Sequence, residues 1–482
     1  MAAAAAAASS SSSLTFAVRR SEPVLVPPAE PTPYELKPLS DIDDQESLRF
    51  YRSGIYFFRS SPSKIGQDPV AVVRSAVAKA LVHYYPLAGR ILEGPGRKLA
   101  VECTGEGVVF VGADADVTLE DFGGDLSPPI PCNEKLLCEP ESSSADIIGR
   151  PLLFIQVTRM KCGGFIFAVQ ICHCMADAAG LVQLLIDIGE LARGADAPSV
   201  PPVWARELLA ARSPPRVTHQ HPEYEEVADP ARDRISPADA LVHRRFFFRD
   251  EEETACLRRQ APAGLRGTCS RFELIAAFVW KCRTIALRYD AEDEVRIQFV
   301  VNARGKRRIS KQPQLPRGFY GNAFAFAVAS STAGELCERP FGYALQLVTE
   351  AKARVLDVGY LQSVSDLMVL KARPRFAVAR TYLVSDLTKS GLRAVDFGWG
   401  EGVYCGPATA TLATFHIPVE GGIAVPVRLP PRAMERFCIE FQKLVHSSRS
   451  SSTSNAESPL GRVDSGLDLG SASGLGPISS KL

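Results

Sequence analysis

One stretch, residues 164 to 191, constrains this chain more than any other, because it ties a strand to a helix through a five-residue turn. Gly164-Phe165-Ile166-Phe167-Ala168-Val169-Gln170-Ile171 is rich in β-branched and aromatic residues, as a strand inside a sheet would be. Downstream, Ala178, Leu181, Leu184, Leu185, Ile188 and Leu191 recur at helical spacing, so an amphipathic helix is expected to begin just after Asp177. The turn between them is His173-Cys174-Met175-Ala176-Asp177. Imidazole is the side chain whose ordinary pKa lies nearest neutrality, so His173 at a strand end is placed to take a proton from a substrate hydroxyl. A bland reading fits the same spacing: a lone histidine beside an apolar strand is more often a hydrogen-bonded core residue, and Asp177 before Ala-Ala-Gly-Leu-Val serves equally as a helix N-cap.

The cysteines do not rescue a metal or thiol chemistry for this turn. All twelve are scattered without a C-x-x-C pair, which argues against a zinc site and a disulfide framework and for reduced thiols in a reducing compartment. Cys172 and Cys174 flank His173, but neighbours on a strand point to alternate faces and neither close a tetrahedral site nor form a thiol-imidazole pair. No bound metal is expected. Lys+Arg 55 against Asp+Glu 54 leaves a formal charge of +1, so no global field recruits nucleic acid or anionic membrane, and a small-molecule partner is expected. No run of about eighteen apolar residues appears, so no membrane span is expected.

At 482 residues the chain is too long for one core, and two domains are expected. Residues 1–13, Met1 followed by seven alanines and five serines, read as a disordered start rather than a secretory signal; a chloroplast transit segment is the alternative. Residues 14–193 form the first domain, including a helix expected over Val70 to Tyr84 that ends at Pro86. Residues 194–233, with their Pro-rich runs and charged His-Pro-Glu-Tyr-Glu-Glu segment, read as a long surface connection. Residues 234–446 form the second domain, with a helix expected at Ser270 to Tyr289 and strands near Arg296 to Val301 and Ala410 to Ile417. Residues 447–482, mostly Ser and Gly with few large apolar side chains, read as a disordered tail ending in Ser480-Lys481-Leu482, the tripeptide that the peroxisomal import receptor reads. The address expected from it is the peroxisome, with the cytoplasm as alternative.

With these motifs in view, the chain resembles the plant BAHD acyltransferases, which move an acyl group from a CoA thioester to an alcohol or amine. The resemblance is carried by His173-x-x-x-Asp177 and, more than two hundred residues on, Asp396-Phe397-Gly398-Trp399-Gly400. It extends through Tyr85-Pro86-Leu87-Ala88-Gly89-Arg90, Val301-Asn302-Ala303-Arg304 and Tyr320-Gly321-Asn322-Ala323, from about Phe16 to Val445. Leu39-Ser40-Asp41-Ile42-Asp43-Asp44-Gln45-Glu46, Ala178-Ala179-Gly180-Leu181 and Pro198-Ser199-Val200-Pro201-Pro202-Val203-Trp204 resemble the branch that makes benzyl and other volatile esters.

The resemblance implies an α/β (mixed α+β) fold of two chloramphenicol-acetyltransferase-like domains around a central solvent channel, joined by a long crossover loop. It implies His173 as general base, Asp177 turned away from it and paired with Arg304, and Asp396 to Gly400 as a structural loop on the CoA side. It also implies acyl-CoA as co-substrate with no permanently bound cofactor, a small alcohol as acceptor, and a monomer. Two positions depart from the family pattern. Where many relatives have Thr-Ser-Trp this chain has Ser385-Asp386-Leu387, leaving Ser385 as a hydrogen-bond donor to substrate without the tryptophan. Where relatives have Ser-Thr it has Ser270-Arg271, with Arg271 a candidate for a CoA phosphate alongside Lys306-Arg307-Arg308; a solvated basic loop is the plainer reading of that cluster. The substrate pair expected is benzoyl-CoA and benzyl alcohol, giving benzyl benzoate that would feed benzoate and salicylate metabolism. The rivals are other acyl donors such as acetyl-CoA or hydroxycinnamoyl-CoA, and a catalytically silent binding protein of the same fold.

Overall fold

In the computed structural model the described residues are 14–453, except 124, 125, 127, 139–146, 236–239, 305–314, 358 and 410–412. The first half alternates apolar runs with turns in the way that builds a sheet. Its strands are β1 (Val18–Arg20), β2 (Val24–Val26), β3 (Leu36–Pro38), β4 (Tyr51–Phe58), β5 (Arg90–Glu93), β6 (Leu99–Glu102), β7 (Val108–Ala115), β8 (Leu153–Met160) and β9 (Phe165–Cys172). Every residue of β9 is buried, as its uninterrupted apolar sequence requires of a central strand. It lies between β8 and β4, antiparallel to both. Helix α1 (Pro69–His83) starts at an Asp68 cap with Pro69 in its first turn, and buries Val73, Ala76, Val77, Ala80 and Leu81 against helix α2 (Ala178–Ala192).

The second half contributes β10 (Val242–Arg249), β11 (Glu294–Asn302), β12 (Phe324–Thr332), β13 (Thr381–Asp386), β14 (Tyr404–Gly406), β15 (Thr414–Val419) and β16 (Gly422–Leu429). Six of these make a mixed sheet in the order β10-β16-β15-β13-β11-β12. Helices α3 (Arg271–Leu287) and α4 (Phe341–Val355) pack together beside it, and α5 (Pro431–Thr453) packs on α3. One core is built from this sheet and its helices, with Trp280, Phe299 and Leu345 at its centre.

The remaining strand of this half changes sides. β14 pairs with β4 and completes the seven-stranded first sheet. Phe397 and Trp399 go with it, into a core shared with Phe58 and Phe165 of the sheet and Leu184, Leu185 and Ile188 of α2. A boundary drawn at residue 234 therefore does not separate the packing units, because the chain returns to the first sheet at Tyr404, far beyond that boundary.

Two further expectations are corrected. The connection 194–233 is not simply a surface segment: it is irregular with short 3-10 turns, and it buries Arg206, His221 and Glu223 to 4 % exposure or less. The helix α5 runs on to Thr453, past the expected end of structure at residue 446. Elsewhere the expected helices appear at Pro69–His83 and Arg271–Leu287 and the expected strands at Glu294–Asn302 and Thr414–Val419. The Ala/Ser start, Lys306-Arg307-Arg308 and the terminal Ser480-Lys481-Leu482 lie outside the described residues. Among the described residues no helix is long and apolar enough to cross a membrane.

Candidate active site

The turn after β9 is held by its own backbone before any side chain acts. The His173 amide donates to Phe50 O at 2.8 Å and the Met175 amide to Cys172 O at 2.9 Å. Asp177 then caps α2, its Oδ1 accepting from the Gly180 amide at 3.0 Å. Its other oxygen faces the second half of the chain, taking Arg304 Nη1 at 2.6 Å and the Ala323 amide at 3.0 Å. Arg304 also donates from Nε to Phe319 O at 3.2 Å and from Nη2 to Gly321 O. Both carboxylate oxygens of Asp177 are thus committed away from the imidazole, and the residue clamps the turn to the 319–323 segment.

That clamp needs close backbone approach at two glycines. A Cβ on Gly180 would stand 1.9 Å from Tyr320 O, and one on Gly321 would stand 1.9 Å from Arg206 Nη1. The space at Gly321 is filled by the Arg206 guanidinium, 1 % exposed, which donates to Asp43 Oδ1 at 2.6 Å and to Met175 O at 2.7 Å. It lies 4.5 Å from the Trp204 ring centroid and 5.0 Å from that of Tyr320, so flat aromatic faces replace water around the cation. Asp43 also accepts from the Asn322 amide and from Asn322 Nδ2, each at 2.9 Å. Asn322 Nδ2 donates in addition to His173 O at 2.7 Å. Four segments remote in sequence meet here: residues 40–43, the turn 173–177, the connection at 204–206 and residues 319–323.

His173 sits among rings. The Phe50 centroid is 5.3 Å from it and the Phe324 centroid 6.3 Å, and Phe326 and Phe376 continue the aromatic wall at 5.3 and 5.1 Å steps. The Arg52 guanidinium lies 4.9 Å from the Phe50 ring and 5.7 Å from that of Phe415. Burial lowers the His173 pKa to about 4, helped by the Arg52 charge and opposed by Asp177. The imidazole is therefore neutral at physiological pH, with a lone pair free to accept a proton. Burial pushes the Cys174 thiol well above its ordinary range, so it is no thiolate nucleophile, and its sulfur donates to Leu48 O.

The remaining sequence candidates are placed as follows. Ser385 lies half-buried on β13 opposite Phe415 of β15. By strand alternation it shares a face with Leu383, which packs on the first core, while Tyr382 and Val384 pack on the second. Ser270 is the N-cap of α3 in a reciprocal capping box with Glu273, and Arg271 pairs with Asp250 at 2.6 Å. Both side chains thus have structural partners. The loop at 396–400 lies at the far end of α2: Arg193 donates to Asp396 O, and a Cβ on Gly189 would stand 2.4 Å from that oxygen. Twelve helical residues separate Gly189 from Asp177, about 18 Å at the α-helical rise. Asp396 Oδ1 accepts from the Gly398 and Gly400 amides, both residues having positive φ, and Phe397 packs 4.8 Å from Phe167. Trp399 stands 5.2 Å from Phe165 with Lys64 over its ring. This loop braces the helix that begins at the His173–Asp177 turn.

A cavity of about 750 Å³ opens at the junction of the two sheets, lined by Arg59, Arg245, Arg393, Tyr404 and Ile417 among others, and His173 does not line it. Its arginines belong to segments remote in sequence from the turn. Among the described residues no group of three or more His, Cys, Asp or Glu side chains is arranged to hold a metal ion. Reasoning from sequence singled out none of Phe50, Arg52 and Arg206 as site residues. A faint signal existed for Asp43 in the acidic Asp41-Ile42-Asp43-Asp44 stretch, which the structure buries.

Comparison with known proteins shows the family and the fold. A benzyl alcohol O-benzoyltransferase of Petunia hybrida is 54% identical over 443 residues, 90% of this chain and 94% of that protein. An alcohol acyl transferase 1 (allele GSd) of Malus domestica is 48% identical over 450 residues, 92% of this chain and 97% of its own. Among solved structures, vinorine synthase superposes with a TM-score of 0.69 at 22% identity, covering 89% of this chain and 98% of that one. F. sporotrichioides TRI101, solved with coenzyme A and T-2, superposes with a TM-score of 0.63 at 16% identity over 85% of this chain and 98% of its own. The model of the transferase family matches residues 16–444, and the chain belongs to that family, the BAHD acyltransferases.

Proposed function

We propose that this protein is an acyl-CoA-dependent alcohol O-acyltransferase that moves benzoyl from benzoyl-CoA to benzyl alcohol, releasing benzyl benzoate and CoA. The observation that carries it is a neutral His173 set in a wall of phenylalanine rings, in a chain more than half identical to a benzyl alcohol O-benzoyltransferase. Planar aromatic groups on both substrates match such a wall, since edge-to-face ring contacts add to the stabilisation from burial alone. In the reaction His173 takes the proton from the alcohol as its oxygen attacks the thioester carbonyl. The tetrahedral oxyanion collapses, the C–S bond breaks, and the thiolate leaves with its pair and is reprotonated from the imidazolium. A thiolate leaves readily enough that no covalent acyl-enzyme is needed. Ser385 is the candidate donor to the oxyanion.

The test is turnover of purified protein with both substrates, read as benzyl benzoate by mass and as free thiol. His173→Ala is expected to lower kcat by about 10²–10⁴-fold. Full activity in that variant, or no ester from the unaltered protein, overturns the reading; ester formed only from acetyl-CoA or a hydroxycinnamoyl-CoA moves it to a neighbouring donor class.

The proposed setting is the peroxisome, supported by Ser480-Lys481-Leu482, where chain shortening of a cinnamoyl thioester supplies benzoyl-CoA and the ester would feed benzoate and salicylate metabolism. A fluorescent tag on the N-terminal side should give a punctate pattern and a C-terminal tag a diffuse one. A monomer is proposed, to be read from its mass in solution.

A further inference from the structure

The rings beside His173 form a ladder that leads away from it. Phe324 stands 6.3 Å from the imidazole, Phe326 5.3 Å from Phe324, and Phe376 5.1 Å from Phe326, between ring centroids. None of these pairs is stacked, their planes meeting at 67°, 71° and 54°. Phe324 and Phe326 are two residues apart on β12 and so share one face of the strand. Both join the core of the first sheet, whereas Ala325 and Ala327 join that of the second. The two rings thus point into the space between the sheets, where His173 lies. Exposure rises outward, since Phe324 and Phe326 are 5% exposed and Phe376 is half-buried.

The outer end of the ladder is fixed by a strap. Residues 371–376 lie between the helix Tyr360–Leu370 and β13, and they turn through positive φ at Ala372 and Arg373. Residues other than glycine persist there when their surroundings hold them. Arg373 donates from Nε to Asp44 Oδ2 at 2.7 Å and from Nη1 to Gly96 O at 2.8 Å. Arg375 Nη2 donates to Glu46 Oε1 at 3.3 Å, and the Phe376 amide donates to Ser47 Oγ at 3.0 Å. The 44–47 segment runs on to Phe50, whose ring is 5.3 Å from His173 and whose carbonyl accepts from the His173 amide. One short segment therefore positions both ends of the ladder.

We propose that Phe326 and Phe376 select an aromatic acceptor: the alcohol lies along the ladder with its hydroxyl at His173 and its ring against Phe326, and Phe376, set by the strap, bounds the wall beyond it. This rests on His173 being the base of an alcohol acyltransferase. The wall suits the uncharged substrate better than a phosphorylated CoA tail. Its strap carries cations, but carboxylates hold them in place: Asp44 takes Arg373 and also Arg49 at 2.9 Å, and Glu46 takes Arg375 and also Arg97 at 3.1 Å. Phe50 precedes β4 and Arg59 follows it, so the cavity lined by Arg59, Arg245 and Arg393, with Glu120 and Glu420, lies toward the other end of that strand, roughly 25–30 Å off at the strand rise. Arginines from three segments match a phosphorylated tail there and leave the ladder to the alcohol. An aromatic alcohol gains ring contacts on this wall that an aliphatic one of similar size lacks.

The experiment measures kcat/KM of the full chain for benzyl alcohol and hexan-1-ol with benzoyl-CoA, and for benzoyl-CoA and acetyl-CoA with benzyl alcohol. Phe326→Leu keeps apolar bulk without a ring. Its preference for benzyl alcohol over hexan-1-ol should fall by about 3–10-fold, the size of one edge-to-face ring contact, mainly through the KM of the alcohol. The preference for benzoyl-CoA over acetyl-CoA should change by less than about twofold, as for sites that do not interact. Phe376→Leu, at a half-buried position, and Ser47→Ala, which removes the acceptor of the Phe376 amide, should move the acceptor preference the same way by a smaller factor. They serve if Phe326→Leu does not fold. An acceptor preference that stays put in the folded variants overturns the proposal, as does a shift in donor preference alone, which would give the wall to the acyl group. Saturation transfer from protein to the ring protons of benzyl alcohol, read without a donor, should weaken in the same variants. No ester from the unaltered protein with any alcohol removes the reading beneath the proposal, whereas equal saturation transfer in unaltered and Phe326→Leu protein removes the proposal itself, so the two failures are distinguishable.

Discussion

Asp177→Asn separates a clamp from a catalytic relay. The carboxylate accepts three hydrogen bonds, from Gly180 N at 3.0 Å, Arg304 Nη1 at 2.6 Å and Ala323 N at 3.0 Å. Asparagine keeps one oxygen, which suffices for the helix cap, but turns an NH₂ toward two donors. Removing one partner of a buried ion pair costs about 3–5 kcal/mol. The Arg304 side chain is 20% exposed and retains Phe319 O and Gly321 O, so the loss is discounted to about 2–3 kcal/mol. Urea unfolding followed by tryptophan fluorescence would measure it, with kcat determined per folded molecule. The expected result is a shifted midpoint and a kcat that falls because the turn bearing His173 relaxes. A midpoint equal to that of the unaltered protein with kcat down by about 10³-fold or more would refute the clamp, because only a group acting on the reacting proton gives loss of that size without loss of stability. Arg304→Met should reproduce most of the stability loss, and the double variant should cost less than the sum of the two, since they break the same pair.

Two other perturbations follow from the same packing. Gly180→Ala places a methyl where Tyr320 O stands at 1.9 Å and should destabilise by about 1–3 kcal/mol or more, whereas Gly264→Ala, with open space around it, should be close to neutral; equal midpoints for the two would contradict the close approach at the turn. Asp187, buried against Tyr84 OH, has its pKa raised to about 7 by burial, with the Tyr84 bond opposing and Glu190 adding. Its folded pKa exceeds the ordinary carboxylate value, so the folded state holds the extra proton and this group lowers stability as pH rises from about 4 to about 7. Asp187→Asn should flatten that part of the unfolding profile; an unchanged slope between about pH 4 and about pH 7 would show that the carboxyl is ionised in the folded protein.

The strand-turn-helix at 164–191 was readable from sequence because its determinants are local: a period of two gives way to a period of 3.6 with a capping residue at the change. His173 and Asp177 could be named for the same reason. Their division of labour was expected through the family resemblance and not from the turn's own residues, since the groups that set it, Arg52, Arg304, Asn322 and the Phe50 and Phe324 rings, are distant in the chain and reach the turn only in the folded protein. Composition suggested a surface connection at 194–233, yet Arg206 in it is a buried cation, because a guanidinium is tolerated inside when Asp43, Met175 O and three aromatic faces surround it. Ser270 and Arg271 showed polar groups at a helix start, but capping and an ion pair to Asp250 use them locally. Sequence by itself thus determined the elements, the turn and the histidine to consider as base, all properties of neighbours along the chain. Tertiary structure alone decided that burial holds this histidine neutral, that Arg206 inside the connection ties Asp43 to the turn, and that the loop at 396–400 packs on the first sheet at the far end of its helix, because burial, field and long-range hydrogen bonds exist only once remote segments are packed together.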